Sequence, residues 1–324
     1  MTARTRGLKD PLWALVMAGL VAGIFRFWFG LGATTNLTDQ VPWGLWKILN
    51  MVAGVAISTG GFTVGFLVYV LKLERFRPLM KPAILVAFLG YGSSCAALAF
   101  DNGLPWRYWH PFIMWNEHSF LFEVFWCVML YFTITAVELA PVVFEKLKAE
   151  KAARFLHRIA FGAVLIGISL SSLHHSSLGS LFLVTPQRLH PLWYTPMLPL
   201  LFIVSAMGAG LMVVLLARLG YAHLYETGPG DATEVCATEL CSSHRAAAEE
   251  KHLLMLQRLA GIAAGLLGLY LVMKIVDLYT TGSLQHLLDF SWESWSYLGE
   301  LLSLSVIPVV LVLEILASTS LLPR

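Results

Sequence analysis

The stretch WYTPMLPLLFIVSAMGAGLMVVLLA, residues 193–217, contains no Asp, Glu, Lys or Arg. A bilayer core takes roughly 20 apolar residues as one helix. Backbone polar groups in hydrocarbon must be satisfied within the segment, so such a run reads as a membrane-spanning helix. On either side of it, seven further runs read the same way: 11–30, 43–71, 82–101, 118–140, 158–182, 254–278 and 295–317. The expected fold is therefore an all-α integral membrane protein with about eight transmembrane helices. We expect one polytopic membrane domain over 1–324, with four-helix-bundle-like halves and helices two to five forming one bundle. The longest polar insert, 218–252, is only loop-sized.

Composition agrees. Hydrophobic residues make up 57% of the chain and charged residues 13%, about half the charge of a soluble domain. Many Trp residues fall at span ends, among them Trp13, Trp43, Trp46, Trp106, Trp109, Trp115, Trp193, Trp292 and Trp295, as interfacial belts require. A net charge of +2 points away from nucleic acid. Cys95 and Cys127 lie in apolar spans and read as small hydrophobes. Cys236, Cys241 and His244 lack a fourth ligand and read as loop, so no metal is expected. The basic, then apolar, N-terminus resembles a signal peptide, but no small-residue cleavage site follows cleanly. We read it as a retained first helix.

The cations orient the chain. Arg4, Arg6 and Lys9 precede the first span, and Lys72, Arg75, Arg77 and Lys81 follow the second. Lys146, Lys148, Lys151, Arg154 and Arg158 follow the fourth, and Arg218, Arg245, Lys251 and Arg258 the sixth. The alternate loops hold only Arg107 and Arg188. The positive-inside rule places both termini in the cytoplasm. Gly61 with Gly65, and Gly261 with Gly265, have the small-xxx-small spacing of close helix packing.

An ionisable side chain at the centre of a membrane costs about 2.5–3.5 kcal/mol even on lenient scales. Arg26, Lys47, Asp101, Glu117, His118, Glu123, His174, His175, Lys274, Asp277 and Glu300 all fall in the outer third of this topology. Glu123 and His174 are too deep and too short to reach water by snorkelling. A polar pocket among helices, opening toward the outer interface, accommodates the whole set. On the fourth span, Glu123, Cys127, Tyr131, Thr135 and Glu138 share one helical face. They read either as polar glue between helices or as a proton path to the cytoplasm.

Three chemistries suit such a pocket. A haem needs two histidines on facing helices at matching depth, and His174 or His175 lacks a good partner. A transporter needs a midplane site on broken helices, and these groups lie too far out. A quinone enters from the membrane, and its carbonyls need donors while its reduction needs proton carriers. The residue set fits the quinone best, with no haem expected.

Several segments resemble the NrfD/polysulfide-reductase membrane-subunit family, most of all its hydrogenase-2-type (HybB-type) branch. They are VPWGLW at 41–46, RPLMKPA at 77–83, FLFE at 120–123, VELAP at 137–141, LHHSSLGSL at 173–181 and LHPLW at 189–193. The resemblance implies a haem-free subunit that exchanges electrons between membrane quinone and an iron–sulfur ferredoxin-like subunit on the outer face. That partner would lead to a catalytic subunit, a hydrogenase or another redox enzyme. The protein would then be part of an oxidoreductase complex in the inner (cytoplasmic) membrane, not a stand-alone enzyme. Relatives carry an acid matching Glu123 and Glu138 and a His matching His174, and often a Gln where this sequence has His175. Hydrogenase-2-type relatives usually run on for two more helices, whereas this sequence ends at Arg324.

On this reading His174 hydrogen-bonds a quinone (menaquinone or ubiquinone) carbonyl, with His175 as the alternative. Glu123 and Asp101 exchange protons. Lys47, Lys274, Asp277 and Glu117 shape the pocket. Glu138, through Thr135 and Tyr131, forms the inner end of a proton path, and Trp106, Arg107 and Trp109 contribute to the docking face. The other readings are a membrane subunit of a sulfite or polysulfide redox complex, a secondary transporter and a passive anchor. The topology is checked by fusions. Green fluorescent protein inserted after Lys148 should fluoresce and alkaline phosphatase inserted after Trp109 should be active; the reverse pattern would invert the orientation.

Overall fold

The computed structural model describes residues 3–38, 49–225, 239–310 and 312. Lys47, the 41–46 motif, Cys236 and Glu314 lie outside them. Six helical stretches are long and apolar enough to cross a membrane: 9–29, 74–101, 120–146, 158–183, 198–222 and 250–280. They coincide with the first and the third to seventh expected spans. The second span is a shorter apolar helix, 55–70, and the eighth is described only in its first part. No strand occurs among the described residues. The protein is an all-α integral membrane protein.

We number the main helices α1 (Ala3–Phe29), α2 (Val55–Gly65), α3 (Met80–Asp101), α4 (Phe120–Lys146), α5 (Glu150–Leu183), α6 (Leu198–Tyr225), α7 (Glu239–Thr280) and α8 (Trp292–Leu301). Helix α2 continues at both ends into π-helical turns, Leu49–Gly54 and Phe66–Val70. Helix α4 starts on Ser119, whose side chain accepts from the Phe122 amide, and it ends in a tight reversal at Lys148 (φ 57°). That reversal lays α5 antiparallel on α4, in the most extensive helix contact of the molecule.

Glycine sets the centre of the bundle. A methyl on Gly60 of α2 would meet the Gly210 carbonyl and Val214 of α6. One on Gly210 would meet the Gly60 backbone in return. The two helices touch main chain to main chain, as association in lipid favours. Gly61 faces Ala83 and Ala87 of α3, and Gly65 faces Val164 of α5, so the first glycine pair is a packing site. Gly265 has open space where a Cβ would stand. The α6–α7 contact is made instead by Gly208 against Leu267 and Ala263. The expected bundle of helices two to five thereby gains a fifth member, α6, wedged against α2, α3 and α5.

Much of the expected 218–252 loop is helix: α6 runs on to Tyr225 and α7 begins at Glu239. The Ala-, Glu- and Lys-rich composition of 246–251 explains the latter, since these are strong helix formers. Toward the cation-rich end the core is apolar, with Phe76, Leu79, Leu211, Val214 and Leu259 closely packed. The polar residues concentrate toward the other end. Gly210→Val should cost about 1–3 kcal/mol by overpacking and lower the unfolding midpoint of the detergent-purified protein. Gly265→Ala should leave that midpoint unchanged.

Candidate functional site

Helix α5 carries the deepest polar groups. His175 is buried, with Nε2 2.9 Å from Thr59 Oγ1 on α2 and Nδ1 2.7 Å from the Ser171 carbonyl. A carbonyl only accepts, so Nδ1 bears a proton; in the neutral imidazole Nε2 then accepts from the Thr59 hydroxyl, whose one proton is shared with the Val55 carbonyl 3.2 Å away. His174 is wholly enclosed, and neither of its ring nitrogens has a hydrogen-bond partner among the described residues. Its ring centroid lies 6.0 Å from that of Tyr91 and 5.7 Å from that of His175. Tyr91 in turn packs against Tyr131 of α4, the ring centroids 4.4 Å apart and the planes tilted by 51°. Glu138 and Tyr131 converge on Gly167 of α5, Glu138 Oε1 and Tyr131 Cε2 each lying 3.5 Å from where its Cβ would be. Glu138, Tyr131, Tyr91, His174 and His175 thus follow one another through the bundle. Thr135 is buried on the same α4 face and donates to the Phe132 carbonyl at 2.8 Å. Nearer the other end, Ser177 donates to Glu123 at 2.7 Å and ties α5 to α4.

A second cluster centres on Glu300 of α8. Its carboxylate accepts from Tyr270 Oη and Trp193 Nε1, each at 2.5 Å, and pairs with Lys274 Nζ at 3.4 Å. Lys274 is 3% exposed and also sits 4.8 Å from the Tyr297 ring centre. Asp277, one turn on, accepts from Thr195. A cavity of about 190 Å³ lies among these groups, and His175 forms part of its wall. The two polar clusters therefore meet at His175.

A larger cavity, about 1000 Å³, opens between α1 and α3. Apolar side chains such as Leu20, Phe29 and Phe100 dominate its lining. Its polar lining includes Arg26, Asn50 and Asp101. Arg26 donates Nε to the Phe100 carbonyl at 2.7 Å and Nη2 to the Asn102 carbonyl at 2.6 Å. It thereby caps the C-terminus of α3 with a cation, where the helix dipole favours one. Asn50 stands in the π-helical turn before α2, where such turns often mark function. Its Nδ2 is buried and has no acceptor among the described residues.

The single expected pocket is thus two cavities. Asp101 borders the larger, while His175 and Lys274 border the smaller and Asp277 lies behind it. Glu123 is engaged with Ser177 and lines neither described cavity. His174 lines neither as well, sealed between Tyr91 and His175, so the expected direct contact with a ligand carbonyl does not fit its position. Glu117 is exposed in the segment before α4, which starts only at Phe120, and lines none of the described cavities. Lys47 lies outside the described residues. Sequence reasoning passed over Asn50, Thr59 and Ser177 and gave Glu300 no partner. A polar residue in an apolar span was the available signal, but its partners come from other helices.

Residues 33–321 match the family Polysulphide reductase, NrfD, and the protein belongs to it. A probable Ni/Fe-hydrogenase 2 b-type cytochrome subunit of Escherichia coli is 31% identical over 224 residues, 67% of this chain and 56% of that one. The integral membrane subunit of a menaquinone reductase of Nitratidesulfovibrio vulgaris is 31% identical over 194 residues, 56% of this chain and 45% of that one. A polysulfide reductase subunit of Wolinella succinogenes is 26% identical over 189 residues, 56% of this chain and 59% of that one. The match spans about half the length of these relatives.

Removing one partner of a buried ion pair leaves the other charge uncompensated, at about 3–5 kcal/mol. Glu300 is partly exposed (20%), so Glu300→Ala should cost about 3 kcal/mol, the low end of that range. The double change Glu300→Ala with Lys274→Met should recover part of the loss. Equal unfolding midpoints for the single and double variants would show that Lys274 does not depend on Glu300.

Proposed function

We propose that this protein is the quinone-reactive membrane subunit of a respiratory oxidoreductase complex in the cytoplasmic membrane. The observation that carries the reading is the α1–α3 cavity with the unpartnered Asn50 amide at its wall. Ligand pockets of about 300–1000 Å³, mostly apolar with a few placed polar groups, suit small molecules of this kind. The 190 Å³ space beside Lys274 falls below that range. Relatives named for a menaquinone reductase, a hydrogenase and a polysulfide reductase support the same reading.

A bound quinone would accept or give up two electrons together with two protons. Asn50 Nδ2 is a donor held ready for a carbonyl oxygen, and a buried donor gains from acquiring an acceptor. Asp101 at the same wall is the carboxyl that exchanges a proton with that oxygen. Arg26 holds α1 against α3 and so keeps the cavity's two walls in register. Electrons would pass to or from an iron–sulfur ferredoxin-like subunit on the cation-poor face. A catalytic subunit of the hydrogenase-2 type would lie beyond it, with a sulfite- or polysulfide-linked complex as the alternative. The series Glu138, Tyr131, Tyr91, His174 and His175 forms the proton route, ending at Lys274, Asp277 and Glu300. In that series His174 is a relay and not a ligand for the quinone. Glu123 orients α5 through Ser177.

The E. coli relative is named as a b-type cytochrome subunit, which puts the haem-free expectation in question. A haem held by two imidazoles needs them on facing helices. His174 and His175 are neighbours on one helix, and His175 has both nitrogens engaged. These two residues do not fit that ligand set.

The test is purification from membranes with bound partners, followed by lipid extraction and an optical spectrum. Extracted quinone with iron–sulfur absorbance is the expected result, and strong haem bands would overturn the histidine argument. Asn50→Leu should slow quinone-linked electron transfer about tenfold, the worth of a hydrogen bond of 1–1.5 kcal/mol. Asp101→Asn should slow it further by removing the proton carrier. Wild-type rates in both variants would sink the site assignment.

A further inference from the structure

A third cavity, about 370 Å³, lies at the opposite, cation-rich end of the molecule. It is formed where the 3-10 turn Glu74–Leu79, just before α3, meets one stripe of α7. That stripe is Lys251, Leu254, Met255 and Arg258, spaced i, i+3, i+4 and i+7 and therefore on one face. Arg75 stands opposite, its guanidinium 5.1 Å from the Phe76 ring centre. Arg75, Lys251 and Arg258 thus surround one concavity, and no Asp or Glu among the described residues lines it. The nearby Glu74 is committed to Arg77 at 2.5 Å.

The walls are held firmly. Phe76 and Leu79 from one side, and Met255, Leu256 and Leu259 from the other, belong to a single buried cluster. The three cations are exposed at the rim of this concavity and give it a positive potential that favours an anion. Both candidate spans that border the cavity, 74–101 and 250–280, begin at its level. It therefore lies at headgroup depth. Its floor, Leu254 and Met255, is apolar, and Leu254 is 45% exposed.

From this juxtaposition we propose that the cavity binds the phosphate of an anionic phospholipid, whose apolar part lies against Leu254 and Met255. Basic pockets between spanning helices recognise anionic headgroups in this way. A soluble phosphate would gain the cations but make no use of the apolar floor. The site does not depend on the quinone reading, since none of its residues belongs to the cavities described above.

The test uses the full-length protein, delipidated in neutral detergent, with three probes: short-chain phosphatidylglycerol, phosphatidylcholine of the same acyl length, and inorganic phosphate. Binding is read by native mass spectrometry and by the shift in unfolding midpoint. Phosphatidylglycerol should bind at least tenfold more tightly than phosphatidylcholine. The triple variant Arg75→Gln, Lys251→Gln, Arg258→Gln should lose that preference, at about fivefold per cation removed. Should the triple variant not fold, Lys251→Gln alone should give the single fivefold loss. Lys148→Gln with Lys151→Gln, on another loop, should change nothing. Equal binding of the two lipids, or a preference that survives in the variants, overturns the proposal. Inorganic phosphate matching phosphatidylglycerol would make this a free-phosphate site and overturn the lipid assignment.

Discussion

The contact between Gly60 of α2 and Gly210 of α6 brings two helix backbones together with no side chain between them. Lipid tails are as apolar as leucine, so helices in a bilayer associate through close packing and internal hydrogen bonds and not through escape from water. The neighbouring residue, Thr59, is thereby carried into the centre of the bundle, where its hydroxyl meets His175 on α5. The orientation of that imidazole sets one wall of the Lys274–Glu300 cavity. Moving α2 outward by the width of a methyl would disturb packing, the histidine and the cavity together.

Polar groups are sorted along the bundle. At the cation-rich end the interior is aliphatic and aromatic, and the charges stand outside at the interface. At the other end, Glu300 is satisfied by three donors, Asp277 by Thr195 and Glu123 by Ser177. Hydrocarbon offers no water to satisfy a buried polar atom, so a partner must come from a neighbouring helix or from a ligand in a cavity. Two of the groups left without one among the described residues enter the proposed reading, the Asn50 amide and the His174 ring. The first borders a space large enough for a ligand. The second sits midway along the tyrosine–histidine series, where an unpartnered imidazole has a nitrogen free to hand on a proton. These two carry the functional reading.

Much of this was legible in the order of residues. Long runs without charge imposed the helical membrane architecture, because hydrocarbon admits little else. The depth of Glu123, His174, Lys274 and Asp277 showed that the interior is polar toward one end, since the cost of burying a charge does not depend on where its partner comes from. The i+4 steps from Glu123 to Glu138 placed those residues on one face, and that face does pack against α5. Less legible were the extents of α6 and α7, where polar helix was read as loop, and the second glycine pair, since spacing alone does not say which face is covered.

The amino-acid order alone settles the solvent: this protein is made to live in a bilayer, with its helices, its charge asymmetry and its costly interior groups. Which of those groups share a space is settled by packing in three dimensions. Asp101 and His175 read as members of one pocket, yet helix packing assigns them to separate cavities. His174, the strongest motif residue, is sealed off, whereas Asn50, with no motif to recommend it, faces the largest of the described cavities. Periodicity specifies a residue's face on its own helix, but a pocket is bounded by several helices. Their relative rotation and separation are set by contacts, such as Gly60 on Gly210, between residues far apart in the sequence.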